Sequence, residues 1–223
     1  MKKDVYFLTA PQNSIWLTEQ FYQGTNINNI CGSMTIFEKV DFDKFSKAIN
    51  IFVENTDSFR IKLFMDNTDV KQYISDYIPF ELEIINVSSD EDVKNIEKEI
   101  ASIPFNLMEK LLFTFKLFKF PDGHGGFVVN AHHVISDSWT LGIVVNRIIS
   151  IYSCLLNNEN INDLNNFSYI DYIHSEQDYL KSNKYIKDKE YWDNIYSTIP
   201  EIATIPSCNK DTSQSISIAA NRE

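Results

Sequence analysis

The chain has 223 residues, 43% of them hydrophobic, enough to fill the core of one large domain or two small ones. Its formal net charge is -11 and its isoelectric point about 4.8, a poor match for nucleic-acid phosphates or anionic membranes. Three cysteines (Cys31, Cys154 and Cys208) are widely spaced, odd in number and free of any CxxC, which points to reduced thiols in a cytoplasmic protein rather than a disulfide framework.

Residues 9–23 read as a helix. Thr9 can cap it, Pro11 fits its first turn, and Gly24 with the asparagines up to Asn29 ends it. Residues 30–38 read as a strand, and Asp41 then caps a helix with Phe42, Phe45, Ile49, Phe52 and Val53 on one face. Residues 59–65 and 70–74 form a hairpin around the polar turn 66–69. Residues 80–87 read as a further strand, followed by a helix from Ser88 to about Ser102 that stops ahead of Pro104.

Residues 111–120 and the arm ending at His132 make a second hairpin, with its turn at 121–126. A helix is expected over 139–156, with apolar residues at Ile143, Val144, Ile148, Ile151 and Leu155. An Asn-rich loop follows at 157–166, then helices near 168–182 and 185–197. Pro200 and Pro206 break the chain ahead of a small-residued polar tail. There is no signal peptide pattern and no run near the ~18 apolar residues that span a membrane. Strands and helices are intermixed with hairpins, so the class is α/β with a mixed β-sheet and helices packed on it.

The chemistry concentrates between the strand ending at His132 and the helix after it. His132, His133 and Asp137 fall on one short strand-to-helix turn, with Ser138 and Trp139 next. Asp137 or Ser138 suits a helix N-cap. Neighbouring strand residues point to opposite faces, so only one of the two histidines can face a given cleft. A histidine beside a strand is commonly structural, but two histidines, an aspartate and a tryptophan at one turn make a candidate functional turn. No metal site is expected, because His133 and Asp137 supply at most two ligands where zinc takes three or four.

The run His132-His133-Val-Ile-Ser-Asp137-Ser138-Trp139 resembles the HHxxxDG signature of condensation domains from nonribosomal peptide synthetases. Those belong to the chloramphenicol-acetyltransferase-like superfamily. Further segments resemble the same family in the same order: Leu8 to Gln12 with Ile15-Trp16, Asp57 to Phe64 including Arg60, Pro104 to Leu107 with Leu111 to Phe113, Tyr169 to Tyr172, and Tyr191-Trp192. The sequence departs from the family pattern at Ser138, where a glycine is usual, at Asn55-Thr56 and at Ser175.

The resemblance implies a chloramphenicol-acetyltransferase-like fold and peptide-bond formation. An α-amine on a downstream carrier would attack an acyl thioester on an upstream one. It implies His133 as the catalytic residue, with His132 supporting the turn; Trp139 is expected to pack, because an aromatic at a helix start usually buries area. It also implies that Asp137 pairs with an arginine, Arg60 or Arg147 in this chain or one in another lobe. His124 and His174 read as surface residues. Family domains are about twice this length and have two lobes, so residues 1–206 are expected to be the N-terminal lobe, with 207–223 leading toward an absent C-terminal lobe. The mid-chain position of the histidine motif argues against a stand-alone acetyltransferase. No directly bound cofactor is implied. The partners are upstream and downstream peptidyl carrier domains with their 4'-phosphopantetheine arms, the C-terminal lobe and an adenylation domain. A non-catalytic recruiting relative and an epimerisation domain are the alternatives. A cyclisation domain would carry aspartates where this chain has the histidine pair.

Overall fold

The structure, a computed structural model, describes residues 4–161 and 168–198. These fall into two compact units, divided after Asp178.

The first unit is built on two sheets. A four-stranded sheet has the order β2 (Asn29–Ile36), β7 (Gly125–His132), β6 (Phe113–Lys119), β5 (Ile84–Asn86). Its first three strands are antiparallel, and β5 joins β6 in parallel. A three-stranded antiparallel sheet has the order β1 (Tyr6–Phe7), β4 (Asp69–Ile74), β3 (Ile61–Asp66).

Sequence reading does not anticipate β1, which is only two residues long. It makes β5 too long, because residues 80–83 lie outside the ladder. Phe59 belongs to a 3-10 turn, Asp57–Arg60, rather than to β3. Gly125 and Gly126 belong to β7 rather than to the turn before it. A Cβ on Gly126 would lie 1.8 Å from the Met34 carbonyl oxygen, and one on Gly125 would lie 2.2 Å from that of Phe118. The neighbouring backbones approach too closely for a side chain here.

Strand β7 is buried along all eight residues, and the alternation of its side chains divides the core. Phe127, Val129 and Ala131 join the larger cluster, with α2 (Phe42–Glu54) and α4 (Ser138–Asn157). Ring contacts of 4.9–5.9 Å run from Phe52 through Phe59, Phe113, Phe115, Phe127 and Phe45 to Tyr152. Tilted and edge-on aromatic pairs of this kind add to simple area burial. Val128 points the other way, into a smaller cluster with Phe118, Phe120 and the Val93, Ile96 and Ile100 stripe of α3 (Asp90–Ser102). Helices therefore cover both faces of the sheet.

Helix α4 is long and apolar enough to cross a membrane by length and composition, a pattern that sequence reading does not flag. Its stripe of Val144, Ile148, Ile151 and Tyr152 is buried in the core. The Tyr152 hydroxyl accepts the Asp41 backbone N–H at 2.9 Å, joining α4 to the cap of α2.

Helix α1 (Ala10–Phe21) has two buried residues, both polar: Gln12 and Glu19. They are seven residues apart and so share one face. Helix α5 (Tyr169–Leu180) crosses the division between the units, and α6 (Asn183–Ile195) lies in the second, where Tyr179 donates to Asp188 at 2.9 Å. The tail from 207, Pro200, Pro206, Cys208 and most of the loop at 157–166 lie outside the described residues. Cys31 and Cys154 are free thiols, and burial pushes the Cys31 thiol up to about 12.

Candidate functional site

Strand β7 ends in a backbone fork. The His132 N–H donates to the Leu112 carbonyl at 2.9 Å, and the His133 N–H donates to the Asn28 carbonyl at 2.8 Å. Successive residues are thus tied to opposite sides of the strand. The chain then turns, with Ile135 N–H and Ser136 Oγ both donating to the His132 carbonyl at 3.0 Å. Gln12 of α1 donates to the Val134 carbonyl at 3.2 Å from outside the turn.

The two histidines go opposite ways, as alternation requires. His132 is 2% exposed. Its Nδ1 accepts the Val134 N–H at 3.1 Å, so its proton sits on Nε2, which donates to Glu19 Oε1 at 3.2 Å. Its ring meets Phe105 edge-on at 5.9 Å. Burial lowers its pKa below the ordinary imidazole value, with Glu19 opposing the shift. His133 is exposed, and its Nδ1 lies 2.8 Å from the Ser136 carbonyl. A carbonyl only accepts, so Nδ1 carries the proton and Nε2 of the neutral ring is left as the base.

Asp137 is the N-cap of α4, and Ser138 is the first helical residue. One Asp137 oxygen accepts both the backbone N–H and the hydroxyl of Thr140 at 2.7 Å, and the Thr140 hydroxyl also accepts the Asp137 N–H at 3.1 Å. The Thr140 hydroxyl and N–H hold the Asp137 carboxyl below the usual carboxylate range. Within this chain the Asp137 partner is therefore Thr140 and neither Arg60 nor Arg147. Arg60 is bound to Asp57 at 2.7 Å and to the Glu54 carbonyl, while Arg147 lies ten residues along α4, roughly 15 Å of helix rise away.

Trp139, expected to pack, is 80% exposed. At about 100° per residue it lies roughly opposite the buried stripe of α4. Ile143 is half exposed for the same reason. His174 is exposed, as expected. His124 is not a bare surface residue: it stacks on Phe120 at 4.0 Å and pairs with Asp122 at 2.5 Å.

A groove of about 300 Å³ runs between β2, β7 and the first half of α4, lined by Gly32, Phe127, Val129, Leu141, Gly142 and Val145 among others. Gly142 opens onto free space. His133 is not among its lining residues, so the exposed imidazole and the groove adjoin the same helix without sharing a wall. Among the described residues, no three His, Cys, Asp or Glu side chains gather to hold a metal ion. The turn brings His132, His133, Asp137, Ser138 and Trp139 together and leaves Arg60 outside. Glu19, Asn28, Ser136 and Thr140 belong to it and are not singled out by sequence reading. The polar pair Gln12 and Glu19 at helical spacing was the available signal for α1.

The fold is the chloramphenicol-acetyltransferase-like one. The starter condensation domain of the rhizomide synthetase superposes with a TM-score of 0.82 at 20% identity, over 89% of this chain and 49% of that one. The first condensation domain of the calcium-dependent antibiotic synthetase superposes with a TM-score of 0.79 at 18% identity, over 89% and 49%. The chain belongs to the condensation domain family, whose model, described as "Condensation domain", matches residues 2–222. Surfactin synthase subunit 1 of Bacillus subtilis (strain 168) is 32% identical over 212 residues, covering 92% of this chain and 6% of that protein. Bacitracin synthase 3 of Bacillus licheniformis is 23% identical over 206 residues, covering 92% and 3%. The chain thus spans about half the length of the solved domains and a small part of the two synthases.

Proposed function

We propose that this chain is the N-terminal lobe of an acyltransferase that forms peptide bonds in nonribosomal peptide synthesis, with residues 207–223 leading toward a C-terminal lobe. The observation that carries this reading is His133: an exposed imidazole at the end of a buried strand, with Nδ1 2.8 Å from the Ser136 carbonyl and Nε2 turned away from that bond. The substrates are two thioesters on the 4'-phosphopantetheine arms of an upstream and a downstream carrier domain, in a cytoplasmic synthetase that also holds an adenylation domain.

The α-amine of the downstream aminoacyl group attacks the upstream thioester carbonyl. A C–N bond forms, the C–S bond breaks, and the upstream thiol leaves. An amine of pKa near ~8 is partly protonated at neutral pH and must shed a proton as it attacks. His133 Nε2 accepts that proton or holds the amine by hydrogen bonding, and the departing thiolate takes a proton in turn. Asp137 acts on the turn, where one of its carboxylate oxygens takes both the backbone N–H and the hydroxyl of Thr140.

The test compares amide formation from donor and acceptor thioesters by the two-lobe protein, its His133→Ala variant and this chain alone. The two-lobe protein should turn over, and His133→Ala should lose about 10²–10⁴ in rate. The chain alone should be inactive, because orientation of two substrates needs both walls of a cleft. A two-lobe protein indifferent to His133→Ala would favour the recruiting relative instead.

A further inference from the structure

We propose that Glu19 is the positioning residue for His133, acting through Asn28 and His132. The proposal rests on the reading of His133 as the reactive group. Glu19 is 8% exposed and reaches the turn from α1. Its Oε1 takes two donors, Asn28 Nδ2 at 2.6 Å and His132 Nε2 at 3.2 Å. Asn28 is itself buried, and its backbone carbonyl holds the His133 N–H at 2.8 Å. One carboxylate oxygen therefore anchors both the residue bonded to the His133 backbone and the residue preceding it in sequence.

The geometry explains why a glutamate lies buried on the inner face of a helix. A buried carboxylate without partners is costly, whereas one whose oxygen is filled by two donors fixes what it touches. His132 is held as the Nε2–H tautomer from both ends, by Val134 N–H at Nδ1 and by Glu19 at Nε2. With His132 and Asn28 fixed, the His133 backbone has one position, and its ring reaches the Ser136 carbonyl through Nδ1–H. The bonds of Glu19 go to Asn28 and His132 rather than to the His133 ring; it sets where that ring hangs and which nitrogen is left bare.

The experiment reads the histidine tautomers of this chain by long-range proton–nitrogen correlation spectra, with the His133 amide exchange rate as a second readout. The unmodified protein should show His132 protonated on Nε2 and His133 on Nδ1. Asn28→Ala keeps the carbonyl but loses the side-chain anchor. It should speed His133 amide exchange by about tenfold, the order set by one lost hydrogen bond. Val129, in the middle of β7, should be unchanged. Glu19→Gln keeps an acceptor oxygen and should behave as the unmodified protein. Glu19→Leu should turn His133 into a mixture of tautomers; should it fail to fold, Asn28→Ala decides alone. Unchanged His133 tautomer and exchange in Asn28→Ala, or a uniform rise across β7, would overturn the proposal. These spectra do not depend on turnover, so they stand apart from the His133→Ala rate test of the function itself.

Discussion

His132 and His133 are adjacent in sequence yet carry their imidazole protons on opposite nitrogens. Nδ1 of His132 accepts the Val134 N–H, while Nδ1 of His133 faces the Ser136 carbonyl and must donate. The strand's two-residue period puts one ring in the core and the other at the surface, and each local partner then dictates a tautomer. The two residues should therefore respond differently to removal.

His132→Ala is expected to cost stability by about 1–3 kcal/mol or more, because it strands the Val134 N–H and one bond of Glu19 in the interior. His133→Ala loses one part-buried bond to Ser136 and should stay within about 1 kcal/mol of the unmodified protein. Denaturant midpoints of the two variants test the ranking, and equal losses would contradict it.

The pH dependence follows from the same burial. The folded pKa of His132 lies below its unfolded value of about 6.5, so the unfolded chain takes up the proton first as pH falls. The contribution is fully present above about 6.5 and is lost as pH falls through the folded pKa. The stability difference between the unmodified protein and His132→Gln should therefore shrink between neutral and mildly acid pH. Chemical denaturation at several pH values measures it, and a constant difference would argue against a neutral His132.

Asp137→Ala should cost about 1 kcal/mol, the ordinary value of an N-cap, rather than the larger loss of a broken buried ion pair. Asp137→Ser should restore most of it. The carboxyl is held below its usual range, so its contribution is present above about pH 4 and disappears as pH falls through the folded pKa. A loss well beyond about 2 kcal/mol would point to a partner other than Thr140.

Gly126→Ala should destabilise by about 1–3 kcal/mol or prevent folding, because the added Cβ meets the Met34 carbonyl backbone on the neighbouring strand. Gly142→Ala meets nothing within 4 Å and should be neutral or slightly stabilising in helix α4. Thermal unfolding of the pair gives a direct contrast.

Much of the fold is legible in the sequence because the side chains that build it are locally patterned. The Phe45, Ile49, Phe52, Val53 stripe declares α2, and Asp137 before an apolar run declares α4. The split into two sheets is not legible, because β1 is two residues long and joins β4 from more than sixty residues away. At the site, the histidine pair and its opposed faces follow from alternation alone. The partner of Asp137 does not. A carboxylate at a turn can reach forward to its own helix or across to an arginine, and within this chain it reaches the residue three places on, Thr140. Trp139 is misread because apolar character signals burial only when it lies on the helix stripe, and this residue lies opposite it.

The burial of β7 on both faces has a kinetic meaning. Central strands with no wet face are the last part of a protein to open, while edges and loops come apart transiently at little cost. His133 leaves that strand by one residue, with its amide bound to Asn28 and that of His132 to Leu112. Fluctuations that loosen α5 or the short edge strand β5 need not reach it. The exposed imidazole is therefore carried at the end of the most completely buried strand of its sheet, the kind of segment that opens last, while the sheet's periphery can breathe without moving it.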